Sequence, residues 1–232
     1  MNEIVSDISP HNITDKLKPN THRLMFVQMI KENEPFDICR EWIETYLTPL
    51  DESTFDVDLL SITSNIELFE YLLKNGFDPN RDYGCPVIWK CSDNIPKIKL
   101  LLRYGANPNQ AHDTSTIIGL IMHEQPSYTI LMFLRILLEG GADPNRICAY
   151  GTRYMTPLDQ FSYEYNFNLN KKESKYATDG IFLLMQYGAT KHDIGYNDYD
   201  RINRILLVCD LMLYTDDDVP LQWKIEIKGC LY

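Results

Sequence analysis

Short apolar stretches recur along the middle of the chain, and a glycine closes each of them. Within each stretch the apolar residues fall three or four positions apart, which predicts an amphipathic helix. Glycine takes the left-handed conformation that commonly follows a helix end. The pattern therefore predicts four helices with the same ending. They cover residues 68–75, 99–104, 134–140 and 181–187, before Gly76, Gly105, Gly141 and Gly188.

A turn sequence follows three of these glycines: GFDPN at 76–80, GANPN at 105–109 and GADPN at 141–145. The fourth copy keeps only Gly-Ala at 188–189. Proline cannot continue a helix, so the chain must leave on a turn. The asparagine that ends each phrase is expected to bond its own backbone and hold that turn. We therefore predict a helix stop followed by a projecting loop.

Candidate helix starts agree with this arrangement. Residues 64–67 (Ser-Asn-Ile-Glu) have the pattern of a capping box, in which the hydroxyl of Ser64 and the carboxylate of Glu67 bond backbone amides. Residues 156–159 (Thr-Pro-Leu-Asp) place a capping threonine before a first-turn proline and an acidic third residue. These predicted helix starts precede the predicted glycine stops in the chain.

The glycines are spaced by 29, 36 and 47 residues, a spacing typical of a stacked repeat protein. Thr-Pro-Leu-Asp at 156–159 resembles the Thr-Pro-Leu-His that opens the first helix of an ankyrin repeat. Residues 85–88 and 115–118 are weaker versions of it, and 65–76 resemble the second helix of the family. Over residues 55–192 the chain resembles the ankyrin-repeat family, and its irregular copies are similar to those encoded by large DNA viruses.

The resemblance implies an all-α ankyrin-repeat solenoid of stacked helix-turn-helix units with helical caps. Amphipathic helices over 21–34 and 36–47 are expected to cap the stack, and a partner-binding helix is the alternative. A further helix over 198–214 is expected to begin the C-terminal cap. The predicted organisation is a flexible tail (1–20), an N-terminal cap (21–52), four repeats (53–82, 83–110, 111–146 and 147–192) and a C-terminal cap (193–232).

Two features depart from the family. Asp159 stands where the family has a histidine, and Ile88 and Ile118 occupy the matching positions of other copies, so the hydrogen bonds of that histidine are not expected. The fourth repeat also carries extra residues, 163–176, which we expect to lengthen the link between its two helices. This Tyr- and Asn-rich insertion either contacts a partner or folds back over the repeat core.

Ankyrin loops and the concave face usually bind other proteins, so the resemblance implies a non-catalytic protein-binding module whose partner protein is unidentified. Loop tips and the tyrosine-rich insertion are the candidate contacts, because tyrosine is enriched at interfaces. The candidate residues are Arg81, Asp82, Tyr83, Gln110, His112, Asp113, Arg146, Tyr150, Arg153, Tyr163, Tyr165 and Phe167.

Charge and composition narrow the classes of partner. The 232 residues include 22 basic and 33 acidic side chains, a formal charge of -11, which opposes binding to nucleic acid or an anionic membrane. No stretch approaches the roughly 18 apolar residues of a membrane helix. The six cysteines form no CxxC pair, which favours reduced thiols in an intracellular protein. We expect a cytoplasmic monomer, in the host cell if the chain is viral.

Catalytic chemistry has little support in the sequence. The chain has no GxSxG, no phosphate-binding GxxxxGK[ST], no HExxH and no GxGxxG, so we expect no enzyme, cofactor or metal. Residues 219–231 resemble the start of an F-box, which implies an alternative: an adaptor that recruits a target to a ubiquitin ligase. A short capping helix from Pro220 explains the same residues.

Overall fold

The computed structural model describes residues 19–121, 124, 127–150, 153–164 and 171–190. This part of the chain is predominantly helical, which confirms the predicted all-α class at that level, and it also contains one short β-hairpin that the sequence did not predict. The chain divides between Tyr83 and Gly84 into two compact units.

The described part of the first unit, residues 19–83, has four α-helices. Helix α1 packs on α2 and α3, and α2 packs on α4. Helices α1 and α2 are present where the hydrophobic pattern predicts them. The bounds are α1 (Pro19–Lys31), α2 (Phe36–Tyr46), a 3-10 turn (Glu52–Thr54), α3 (Leu59–Ile62) and α4 (Ile66–Lys74).

Aromatic side chains hold the first unit together. Phe26 and Phe69 are fully buried, and burying a side chain of this size stabilises a fold by about 1.5–3 kcal/mol. The indole N–H of Trp42 donates to the carbonyl oxygen of His22 at 3.2 Å. The ring of His22 stacks on Tyr46 with 4.8 Å between ring centroids. These contacts fix α1 against α2.

The second unit has six described helices and the hairpin. Helix α7 packs on α8, α9 packs on α10, and α10 also packs on α8. Strand β1 pairs with β2 in antiparallel fashion, with Tyr150 opposite Arg153. The bounds are α5 (Val87–Lys90), α6 (Ile95–Arg103), α7 (Ile117–Ile121), α8 (Tyr128–Glu139), β1 (Cys148–Tyr150), β2 (Arg153–Met155), α9 (Pro157–Glu164) and α10 (Lys171–Gln186).

The positions where the ankyrin family has histidine are resolved in two ways. Ile88 and Ile118 are both fully buried, so apolar packing fills these positions. Asp159 is buried as well, at 3% exposure, and it bonds the start of its own helix. Its backbone N–H donates to the hydroxyl of Thr156 at 3.2 Å, while the N–H of Thr156 donates to its carboxylate at 3.1 Å. The predicted threonine cap is confirmed.

The predicted capping box at 64–67 is wrong by one residue. The side chain of Asn65 accepts a hydrogen bond from the backbone N–H of Leu68 at 3.0 Å, and α4 begins at Ile66. Ser64 is exposed one position before the cap. Asn65 caps the helix instead of Ser64, because its extended backbone places its side-chain oxygen beside the backbone N–H of the third helical residue. Asp58, Asn94 and Ser127 begin α3, α6 and α8 in the same way.

All four predicted glycine stops share one geometry. The φ angles of Gly76, Gly105, Gly141 and Gly188 are 91°, 89°, 90° and 85°. The N–H of Gly105 donates to Leu102 O at 3.1 Å, and that of Ala106 donates to Leu101 O at 2.9 Å. This bond pair is a Schellman motif, and it recurs after the other three glycines. The degenerate fourth copy therefore ends its helix as the others do.

The turn asparagines behave differently from the prediction. The local turn is held by the residue two positions earlier: Asp78, Asn107 and Asp143 accept the backbone N–H of Asn80, Asn109 and Asn145 at 2.8, 2.9 and 2.8 Å. The prediction that the final asparagine bonds its own backbone is therefore wrong for Asn109 and Asn145. Their side-chain amides reach another turn.

Within the second unit, Asn109 and Asn145 each link one turn to the next along the chain. The amide of Asn109 donates to Gly141 O at 2.9 Å and accepts from the N–H of Asp143 at 2.7 Å. The amide of Asn145 donates to Gly188 O at 2.8 Å and accepts from the N–H of Thr190 at 2.7 Å. Because the two turns in each link lie more than 30 residues apart, these bonds join separate helix pairs.

Part of the predicted insertion at 163–176 is helical, since residues 163–164 belong to α9 and residues 171–176 to α10. Helix α9 continues through residue 164, and α10 already begins at Lys171. Helix α10 has 16 residues, against 9 in α6 and 12 in α8. Residues 165–170 of the insertion lie outside the described residues. Lysine, glutamate and alanine in 171–177 favour helix, so propensity explains the extension.

Replacing Gly105 by alanine should destabilise the fold through its backbone alone. A Cβ there meets nothing within 4 Å, but φ is +89°, and a left-handed residue with a side chain costs about 1–2 kcal/mol. Gly105→Asn is the matched control, because asparagine tolerates this region and should cost less. Urea unfolding of both variants measures the difference. Equal losses would show that side-chain packing, and not φ, sets the cost.

Removing the amide of Asn109 should loosen the link between consecutive turns. Asn109→Ala deletes two hydrogen bonds, worth about 1 kcal/mol each in net stability, so urea unfolding should show a loss of about 2 kcal/mol. Amide hydrogen exchange should quicken at Asp143, whose N–H loses its acceptor. Asn75→Ala removes a side-chain bond confined to one helix end and should leave the Asp143 amide protected. Unchanged exchange at Asp143 in Asn109→Ala would contradict the link.

Candidate protein-interaction surface

The predicted contacts in the first unit are held by an acidic residue that the sequence analysis missed. Glu52 accepts the backbone N–H of Asp78 at 3.0 Å and pairs with Arg81 at 3.4 Å. The guanidinium of Arg81 in turn lies 4.5 Å from the ring centroid of Tyr83. Arg81 and Tyr83 are therefore half-buried in an internal network, and Asp82 between them is exposed.

Burial raises the pKa of Tyr83, and the nearby cation of Arg81 lowers it only in part. The hydroxyl of Tyr83 therefore stays protonated at neutral pH. No local signal pointed to Glu52, because its partners lie more than 20 residues away in the sequence. Of the three predicted contacts in this unit, Asp82 is the one fully open to a partner.

In the second unit, Trp89 holds the predicted loop at 110–115 in place. Its indole N–H donates to Gln110 O at 3.3 Å, and its ring meets His112 edge-on at 5.2 Å. His112 and Ser115 also exchange backbone hydrogen bonds at 2.9 and 3.2 Å. Gln110 and His112 are thus half-buried, whereas Asp113 is exposed at the tip with φ of 53°. The loop presents Asp113 on a fixed backbone.

The next loop of the second unit is the hairpin of β1 and β2, and it lies beside the first. The sulfur of Cys148 in β1 is 3.5 Å from the hydroxyl of Thr116, the residue just before α7. Gly119 allows this approach, because a Cβ there would lie 2.5 Å from that sulfur. Arg146, just before the hairpin, is exposed. The structure thus places the loop 110–115 beside the described part of the hairpin loop, residues 146–150 and 153–155, and we call these two loops the paired loops.

The remaining predicted contacts are placed less fully. Tyr150 and Arg153 face each other as backbone partners in the hairpin. The backbone of Tyr163 belongs to α9. Tyr165, Phe167, the predicted helix at 198–214 and the F-box-like segment at 219–231 lie outside the described residues.

The described residues contain neither a candidate metal site nor a candidate membrane-spanning helix. No group of three or more His, Cys, Asp or Glu side chains there could hold a metal ion. No helix in the same residues is both long and apolar enough to cross a membrane.

Comparisons with known proteins give no match, either among protein-family models or among curated proteins.

The four cysteines in the described residues, Cys39, Cys85, Cys91 and Cys148, are thiols that form no disulfide with one another. Burial raises the pKa of Cys39 to about 11, and the negative charge of Glu34 adds to the rise. Its thiol donates to Glu34 O at 3.7 Å and is fully buried, whereas Cys85 is partly exposed. Cys39 therefore has neither the ionisation nor the access that a reactive thiol needs.

Alkylation should separate these thiols. At pH 8 iodoacetamide should modify Cys85 at least about tenfold faster than Cys39, because the thiolate is the reactive form and Cys39 is protonated and covered. Mass spectrometry of peptides against time gives both rates. In urea the two cysteines should react alike, which is the control for intrinsic reactivity. Fast modification of Cys39 in the folded chain would contradict its placement.

Proposed function

We propose that this chain is a non-catalytic protein-recognition module, built as an ankyrin-type array, that binds a partner protein through its loops. The observation that carries the proposal is the proximity of the paired loops, through the contact between Thr116 and Cys148. Two adjacent, rigid loops form one continuous surface.

Support for the ankyrin-type array comes from three recurring features. Each of four helix pairs ends in the same glycine turn. Asparagine amides tie successive turns together within the second unit. A threonine cap opens α9 as it does the first helix of an ankyrin repeat. A scaffold of this kind is stabilised by interfaces between neighbouring repeats, which leaves its loops available for recognition.

Support for recognition by the paired loops comes from their rigidity. Binding is weakened when loops must be ordered at the interface, so a loop held in advance loses less affinity. Trp89 and the backbone pairing of His112 with Ser115 hold the first loop, and strand pairing holds the second. Exposed Asp113 and Arg146 then offer charges of both signs at fixed positions.

Affinity purification with mass spectrometry from the native host tests this function. The full chain serves as bait beside a double variant, Asp113→Asn with Arg146→Glu. Asparagine is chosen at 113 because it tolerates the positive φ there, so the variant alters charge and not the loop backbone. A partner of the loops should be recovered at about one-tenth of the wild-type level or less, as expected when one interface charge is removed and another is reversed.

Lys99→Glu is the matched control, because Lys99 is an exposed cation on α6, away from the paired loops. It should recover the same partner at the wild-type level. A protein captured equally by wild type and the double variant would not use the paired loops. Finding such proteins alone would overturn the proposal.

A further inference from the structure

A second surface, separate from the paired loops, lies between α8 and α10. The two helices enclose an open groove of about 690 Å³. Helix α8 contributes Tyr128, Leu131, Met132 and Arg135. These residues follow the spacing i, i+3, i+4, i+7, so they form one face of the helix.

Helix α10 supplies the other wall, and much of it comes from the extension of that helix. Tyr176, Phe182 and Leu183 line the groove, as do the charged residues Lys175 and Asp179. From residue 175 to residue 186 the wall spans about 16 Å at 1.5 Å per residue. Helices of 9 residues, such as α6, would be too short to form such a wall. The insertion in the fourth repeat therefore helps to create the groove.

The groove is lined by apolar side chains that are only partly buried. Tyr128 is 63% exposed, and Leu131, Met132 and Phe182 are each half-buried. Exposed apolar surface rimmed by polar residues is typical of grooves that bind a partner, and this groove is a small example. A trough between two helices, lined with apolar side chains, suits the apolar stripe of a third helix.

The charged side chains of the groove indicate which residues a docked helix should carry. Arg135 on α8 and Lys175 on α10 are exposed, one on each wall. Asp179 is half-buried one helical turn from Lys175, and burial raises its pKa while Lys175 lowers it in part. The groove thus carries two cations against one carboxylate, in a chain whose formal charge is -11. A helix with acidic residues on both flanks of its apolar stripe would meet a cation on each side.

We propose that the groove between α8 and α10 is a docking site for an amphipathic helix of a partner protein, whose apolar stripe is flanked by carboxylates. This site uses other residues than the paired loops, so it stands whether or not the loops bind a partner.

Two fluorescein-labelled peptides of about 18 residues, or five helical turns, test the proposal on the full chain. Both carry leucine at i, i+3, i+4 and i+7, and they differ only in flanks of glutamate or lysine. Fluorescence anisotropy should show saturable binding of the glutamate peptide, about tenfold tighter than the lysine peptide, a difference of about 1.4 kcal/mol.

Variants of the groove locate the binding. Met132→Glu places a charge on the apolar wall and should weaken the glutamate peptide at least about tenfold. Arg135→Glu should weaken the glutamate peptide and strengthen the lysine peptide, an exchange of preference that unfolding cannot produce. Lys99→Glu makes the same charge change on α6 and should alter neither. Circular dichroism checks that each variant stays folded.

Several results would overturn the proposal. Binding of neither peptide, equal binding of both, or a preference that Arg135→Glu leaves unchanged would each do so. Sedimentation velocity provides one more: if the full chain dimerises and Met132→Glu makes it monomeric, the groove joins two copies of the chain and the partner-helix proposal fails.

Discussion

The second unit depends on hydrogen bonds made by the side-chain amide of an asparagine that lies between two turns. Asn109 donates to one turn's carbonyl and accepts that turn's amide, and Asn145 does the same one repeat further on. A carboxylate at these positions could accept but not donate, and a hydroxyl is too short to span both groups. The amide therefore satisfies two backbone groups at once and fixes the distance between helix pairs.

Because these hydrogen bonds set the spacing of the turns, the helices between the turns can vary in length and in sequence. The helices between the turns vary from 4 to 16 residues. What stays constant is the glycine turn, with φ between 85° and 91° in all four copies. Since the turn sets where each link begins and ends, helix length can change without altering the register of neighbouring turns. Apolar packing, as at the buried Ile88 and Ile118, then fills the space between them.

The sequence predicted the local features well, because each is set by residues close together in the chain. The helix stops at Gly76 and Gly188 and the cap at Thr156 belong to this group. The long-range bonds could not be predicted from the sequence. No residue close to Glu52 in the chain indicates its pairing with Arg81, and none close to Asn109 indicates its bond to Gly141. The same limit applies to the candidate site. Gln110 and Asp113 lie between α6 and α7, but the support of their loop by Trp89 and its proximity to the hairpin depend on packing between elements that are distant in the sequence.

The length of α10 explains how the two proposed surfaces can coexist in the second unit. A repeat that only lengthened a loop would add surface without support, whereas lengthening α10 adds surface backed by a packed helix. The buried face of that helix, with Ile181 and Leu184 at 1% and 0% exposure, anchors it. Another face of the helix carries Tyr176 and Phe182, which line the groove beside α8. Helix pairs joined by turn-to-turn hydrogen bonds can therefore gain a groove on their helices without a change in the paired loops, so the two proposed surfaces are separable by mutation.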